Sequence, residues 1–178
     1  MEIMCSALEI SKSTNGYRFS GVLDERISVK DFQRVIEVRS NPVEFDFNSV
    51  SRSSSSGILE WMKFIKLYSG HFYYVNCPVW LINQFNSMSD LLKRGESAVL
   101  SFWAPYFCEA DESNQYILFR IPKDIPFSGD FKPVPIQEGG KEFAPDFIPS
   151  RYLRFIVLNA EGFQEFFAQH HELGGGDG

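Results

Sequence analysis

A run of four serines between two segments of different periodicity constrains the fold of this chain more than any other feature. Before the run, residues 43–47 alternate in part between apolar and polar side chains, which predicts a strand. After it, apolar residues recur at helical spacing and predict an amphipathic helix: Ile58, Leu59, Trp61, Met62, Phe64, Ile65 and Leu67. Residues 53–56 therefore bring hydroxyl groups to the amino end of a helix, where free N–H groups and the helix dipole favour negative charge.

The first 103 residues predict alternating strands and helices. The expected elements are an opening hairpin from residues 1–8 and 17–23, a helix over 28–37, a strand over 72–76, a helix over 79–92 and a strand over 97–103. A strand–helix–strand order of this kind is typical of an α/β fold with a mixed sheet packed against helices.

The pattern changes after residue 103, because prolines and glycines cluster there. We predict a small β-rich extension over residues 104–160, with short strands at 116–121 and 151–158. Its aromatic residues are expected to hold it together by apolar packing. Residues 161–178 predict a short helical segment and a disordered tail that ends in glycines.

Two short motifs resemble the signature of STAS domains of the anti-sigma-factor-antagonist type. They are Asp46-Phe47-Asn48-Ser49-Val50 and Ser54-Ser55-Ser56-Gly57-Ile58, and they follow the family form D-L-S-x-V-x-x-x-D-S-S-G-L without a gap. Ser54 stands where the family has aspartate. The segment Gly21 to Glu25 also resembles the G-x-L-D end of the second STAS strand. The resemblance covers roughly residues 1–103.

This resemblance implies a regulatory module of a bacterial cytoplasm that binds a partner protein, such as an anti-sigma factor or a related switch kinase. The family's phosphoacceptor maps to Ser55, with Ser56 beside it. Further implied contacts to the partner are Asp24, Asn48, Ser54 and Gly57. An alternative hypothesis for residues 53–56 is capping alone, since serine is a preferred N-cap residue that contributes about 1 kcal/mol.

The extension resembles a zinc ribbon that has lost its ligands. Residues 101–108 lead into Cys108, which corresponds to a first ligand, but Asp111 stands at the position of the second. The second knuckle would fall near residues 137–141, where no cysteine or histidine occurs. Because a structural zinc site needs about four N or S ligands, we expect no metal.

The composition narrows the classes of partner. A net charge of −6 and an isoelectric point near 5.1 argue against nucleic acid and anionic lipid as partners. No apolar run approaches the roughly 20 residues of a membrane helix, and residues 1–13 lack the features of a signal peptide. Three widely spaced cysteines fit a reducing cytoplasm.

No catalytic motif predicts an enzyme or a cofactor. The chain has no P-loop, no G-x-G-x-x-G, no H-E-x-x-H and no G-x-S-x-G. His71 is expected next to a helix end, and Cys77 is expected to be a buried apolar side chain. Two other hypotheses stay open. One is a structural or assembly protein, such as a homodimer, that uses the aromatic-rich extension as an interface. The other is a binder of a small ligand, either a nucleotide or a lipid.

Overall fold

Apolar residues on alternate positions build a first sheet from the amino-terminal half of the chain. The computed structural model describes residues 3–5 and 8–171, and within them the strands of this sheet are β1 (Ile3–Cys5), β2 (Leu8–Lys12), β3 (Gly16–Leu23), β4 (Val43–Ser53), β5 (Phe72–Val75) and β6 (Ser97–Val99). They lie in chain order. β1 to β3 are antiparallel neighbours, and β3 to β6 are parallel neighbours. The predicted α/β class with a mixed sheet is confirmed.

Three helices follow the parallel strands and cover one face of the sheet: α1 (Val29–Val35), α2 (Ser55–Leu67) and α3 (Val79–Ser87). Tyr74 of β5 contacts both Trp61 of α2 and Phe85 of α3, which shows that these two helices share a face. The helix predicted over 79–92 is shorter than expected. It ends at Ser87 and continues as a 3₁₀ turn over Ser89–Leu91.

A second sheet is formed by β7 (Ser101–Cys108), β8 (Ser113–Arg120), β9 (Ile136–Glu138) and β10 (Lys141–Pro145). Its strand order is β8-β7-β10-β9, and all neighbours are antiparallel. The strand predicted over 97–103 divides at Leu100, so that β6 belongs to the first sheet and β7 to the second. The predicted domain boundary at residue 103 falls within β7.

The prediction of a strand over 151–158 is wrong, because the structure has helices α4 (Pro149–Tyr152) and α5 (Arg154–Leu158) there. Pro149 occupies the start of α4, where proline fits a helix. The buried residues recur at helical spacing: Tyr152, Leu153, Phe155 and Ile156. The clustered prolines and glycines after residue 103 suggested short strands, but this spacing lets a helix bury these side chains.

Helix α6 (Ala160–His171) covers the other face of the first sheet at β5, where Tyr73 contacts Phe166 and Phe167. One apolar cluster runs from Leu8 to Phe167 and includes residues of both sheets. The extension therefore packs on the rest of the chain. Part of the extended segment predicted over 1–8 and the tail over 174–178 lie outside the described residues.

The turn at residues 109–112 and the turn at residues 139–140, where the resemblance placed zinc knuckles, lie together. The Lys141 ammonium contacts the Asp111 carboxylate, and Ser113 Oγ donates to Asp111 Oδ1 at 2.6 Å. These bonds, with one from the Cys108 thiol, hold the pKa of Asp111 far below its ordinary value. In the described part of the chain, no three His, Cys, Asp or Glu side chains are grouped to hold a metal ion. An ion pair thus joins the two turns.

Candidate functional site

The serine run spans the junction between β4 and α2. Ser53 is the last residue of β4 and pairs with Leu23 of β3. Ser54 is the N-cap of α2, and its Oγ accepts a hydrogen bond from the Gly57 N–H at 3.2 Å. Ser55 and Ser56 form the first turn of the helix and are exposed to solvent. Three of the four serines therefore lie at the helix start, and two of these three are free of a capping role.

Gly57 lets the start of α2 lie directly against the end of β3. A Cβ atom at this position would stand 2.2 Å from the Leu23 carbonyl oxygen and 2.7 Å from the Asp24 backbone nitrogen. The Ser54 N–H also donates to the Leu23 oxygen at 2.9 Å. Gly57 is buried, and glycine is needed here because the backbones of α2 and β3 come too close together to leave room for a side chain.

Asp24 ends β3 beside the serine run, and Arg26 engages its carboxylate. Arg26 Nη2 donates to Asp24 Oδ2 at 2.5 Å, and the Arg26 backbone N–H donates to Oδ1 at 3.1 Å. The side-chain bond to Arg26, with smaller contributions from its backbone N–H and the charge of Arg52, lowers the pKa of Asp24, although partial burial opposes this shift. The residue is only 9% exposed. Asp24 therefore shapes the loop before α1.

We expect replacement of Arg26 by methionine to raise the pKa of Asp24, because the largest cause of the lowered value is lost. A carboxyl group whose pKa is lowered in the folded state stabilises the fold at pH values above its ordinary pKa of 3.8. That contribution is lost as the pH falls through the lower folded value. NMR titration of the Asp24 side chain measures the shift. Arg18→Met removes an exposed arginine that pairs with Asp46 instead and serves as control. An unchanged Asp24 titration in Arg26→Met would contradict the assignment.

Asn48 lies apart from the serines. It sits at an irregularity in the pairing of β3 with β4, and its backbone N–H donates to Asp46 Oδ1 at 2.9 Å. Its side-chain oxygen accepts a bond from Trp103 Nε1 at 2.8 Å. At about 3.3 Å per residue along a strand, Asn48 stands roughly 17 Å from Ser53. Asp24, Ser54 and Gly57 are thus brought together, whereas Asn48 belongs to a different part of the surface.

Sequence reasoning missed two neighbours of the serines. Glu25 Oε2 lies 3.4 Å from Ser54 Oγ, and Leu59 is 52% exposed although it belongs to the apolar set of α2. Leu59 follows Ser55 by four residues and Ser56 by three, which places all three on one side of the helix. The first turn of α2 contains no acidic residue. The positive end of the helix dipole therefore has no carboxylate within its own turn.

The other candidates for chemistry are less accessible. Cys77 is fully buried, and burial raises the pKa of its thiol well above the ordinary value. His71 and His170 lie against each other, with ring centroids 4.9 Å apart. Burial and the neighbouring His71 lower the pKa of His170.

Comparison of the chain with protein-family models, with curated proteins and with solved structures finds no match. Across the described ranges, 3–5 and 8–171, no helix combines the length and the apolar character needed to cross a membrane.

Proposed function

We propose that this chain is a non-enzymatic regulatory module that binds a partner protein through the amino end of α2, and that phosphorylation of Ser55 or Ser56 controls this binding. The observation that supports it most is that two exposed serines occupy the first turn of a helix without any acidic side chain in that turn. The resemblance to STAS domains suggests an anti-sigma factor or a switch kinase as the class of partner. A reducing cytoplasm suits the few cysteines.

The position of each serine favours Ser55 and Ser56 over Ser54 as acceptors. Ser54 Oγ is occupied by the Gly57 N–H, and Glu25 lies 3.4 Å from it. A phosphate there would replace the cap and meet a carboxylate. At Ser55 or Ser56 a phosphate carries about two negative charges next to free helix N–H groups, which favour it.

Leu59 supplies the apolar part of the contact in this proposal. It is exposed one helical turn after the two serines. A partner that covers Leu59 also covers the serine hydroxyls, so an added phosphate would be desolvated in the interface and binding would weaken.

Most aromatic residues of the extension pack against other residues of the same chain. Phe119 contacts Phe102 and Phe131, and Phe147 contacts Tyr152. This internal use leaves fewer aromatic side chains for an assembly interface, which is why the regulatory proposal is preferred.

Phosphopeptide mapping of the chain purified from its native host tests the proposal. We expect one phosphate on Ser55 or Ser56, and none in the double variant Ser55→Ala/Ser56→Ala. Ser54→Ala is the matched control, because it should keep the phosphate and lower the free energy of unfolding by about 1 kcal/mol through loss of the cap. Absence of phosphate on both serines under all growth conditions would leave only the capping role.

A further inference from the structure

A cleft of about 510 Å³ lies outside the serine site, between the two sheets. It is bounded by Asn48 and Ser51 of β4, by the first turn of α3 with Trp80, and by Trp103 and Tyr116 of the second sheet. Clefts between structural units that combine aromatic walls with a few polar groups are the usual form of small-molecule sites.

The two indole rings of the cleft are held in fixed orientations. Trp80 Nε1 donates to the Val50 carbonyl oxygen at 2.8 Å, and Trp103 Nε1 donates to Asn48 Oδ1 at 2.8 Å. Because indole has only this one donor, neither ring has a hydrogen bond left for a ligand. A ligand can therefore contact only the apolar faces of the two rings. Because the hydrogen bonds already fix both side chains, ligand binding would cost little side-chain entropy.

The polar groups of the cleft are one free donor and two hydroxyls. Since Asn48 Oδ1 accepts the Trp103 bond, its Nδ2 amide group is the free end, and it has no partner among the described residues. Ser51 Oγ donates to the Gly21 carbonyl oxygen at 3.1 Å, so it keeps acceptor capacity. Tyr116, which brings the second hydroxyl, lines the cleft and is 55% exposed.

The absence of charged side chains from the described lining of the cleft restricts the class of ligand it can bind. None of the described residues that line it is charged, and the chain as a whole carries a net charge of −6. A phosphate group would have no positively charged side chain to pair with among these lining residues. An uncharged ring has a smaller desolvation cost than a charged group and needs no such partner. Ring faces for stacking, one amide donor and hydroxyl acceptors together match a flat heterocycle that carries both acceptor and donor atoms on its edge.

We propose that this cleft binds an uncharged planar heterocycle of the nucleobase type, stacked on Trp103 or Trp80 and hydrogen-bonded at its edge by Asn48. The site lies on β4 away from Ser55 and Ser56, and it does not depend on their phosphorylation. It narrows the small-ligand hypothesis to the base or nucleoside, without the phosphates of a nucleotide.

Isothermal titration of the full chain with adenosine, guanosine, cytidine and uridine tests this proposal, with tryptophan fluorescence as a second readout. At least one nucleoside should bind, and its 5′-monophosphate should bind more weakly. Asn48→Asp should weaken binding at least tenfold. It keeps an oxygen for the Trp103 N–H but removes the amide donor, so thermal stability should change little.

Two further variants separate stacking from folding. Trp103→Ala should weaken nucleoside binding by about 5- to 150-fold, the loss expected for one base–aromatic stack. Tyr116→Ala, at an exposed position, should weaken binding with no loss of stability. Ser55→Ala serves as the control outside the cleft and should leave nucleoside affinity unchanged.

Three results would overturn the proposal: no binding of any of the four nucleosides, tighter binding of the monophosphate than of the nucleoside, or affinity that is unaffected by Asn48→Asp and Tyr116→Ala.

Discussion

Replacing Trp61 by alanine is expected to lower the free energy of unfolding by about 3–5 kcal/mol, the range found for large aromatic residues in cores. Trp61 is fully buried on α2. Its ring centroid lies between 5.1 and 6.3 Å from those of surrounding aromatic residues: Phe19, Phe32, Phe45, Phe47, Phe64 and Tyr74. These rings come from α1, α2, β3, β4 and β5, so the cavity would loosen the packing of α2 against α1 and against three strands of the first sheet.

Trp61 also begins a buried hydrogen-bond chain. Its Nε1 donates to the Tyr74 hydroxyl at 2.9 Å, which donates to the Leu91 carbonyl oxygen at 2.9 Å. Tyr74→Phe would leave the indole N–H and that carbonyl unpaired, at a cost of about 1–3 kcal/mol. It is therefore a companion variant that tests the polar part of the site separately from its volume.

Urea denaturation followed by circular dichroism measures both variants. Leu59→Ala, on the exposed side of the same helix, is the matched control and should change stability by about 0.5 kcal/mol or less. If Trp61→Ala proved no more destabilising than Leu59→Ala, this aromatic cluster would not anchor α2.

The second large effect is expected for Gly57→Ala. This substitution should lower the free energy of unfolding by about 2–3 kcal/mol, as other insertions of a methyl group into packed regions do. The added Cβ would meet the Leu23 carbonyl oxygen and carbon, at 2.2 and 2.5 Å, and the Asp24 nitrogen at 2.7 Å. All three are backbone atoms, which cannot turn aside as a side chain can. Relief would require α2 to move away from β3, and Ser55 and Ser56 would move with it.

Gly162→Ala provides the matched helical control. Gly162 lies in α6, and the atom nearest to its added Cβ is Arg94 Cγ at 3.1 Å, on an exposed and flexible side chain. Alanine also raises helix propensity by about 1 kcal/mol over glycine, so we expect stability to stay within about 1 kcal/mol. Thermal unfolding of both variants decides the matter. Equal stabilities for Gly57→Ala and Gly162→Ala would show that the close approach at β3 is not needed.

The sequence predicted elements best where apolar periodicity is clear. The strand at 43–47 was predicted for that reason, yet β4 continues to Ser53. The second half of β4 is largely polar and exposed. It still pairs with β3, but its pairing with β5 ends at Asp46, so most of its side chains meet solvent. Pairing with a neighbouring strand leaves no periodic signal in such a segment, so its length could not be predicted.

The candidate site was predictable only in its local part. Serines before an apolar helix indicate an N-cap, and Ser54 occupies it. The bonds of Arg26 with Asp24 and of Trp103 with Asn48 were not predicted. The second joins residues 55 positions apart, and no local pattern indicates which of the chain's three tryptophans reaches a given asparagine.

The passage from β6 into β7 has a consequence for how this chain can be divided. Only Leu100 separates the two strands, and its N–H donates to the Tyr74 carbonyl oxygen of the first sheet. Phe102, two residues further on, pairs with Phe119 in the second sheet and also bridges to Cys77. A recombination joint near residue 103 would divide β7 within its ladder with β8 and leave Phe102, which bridges to Cys77, on the side of the first sheet. The two sheets are therefore expected to be inherited together, as one unit.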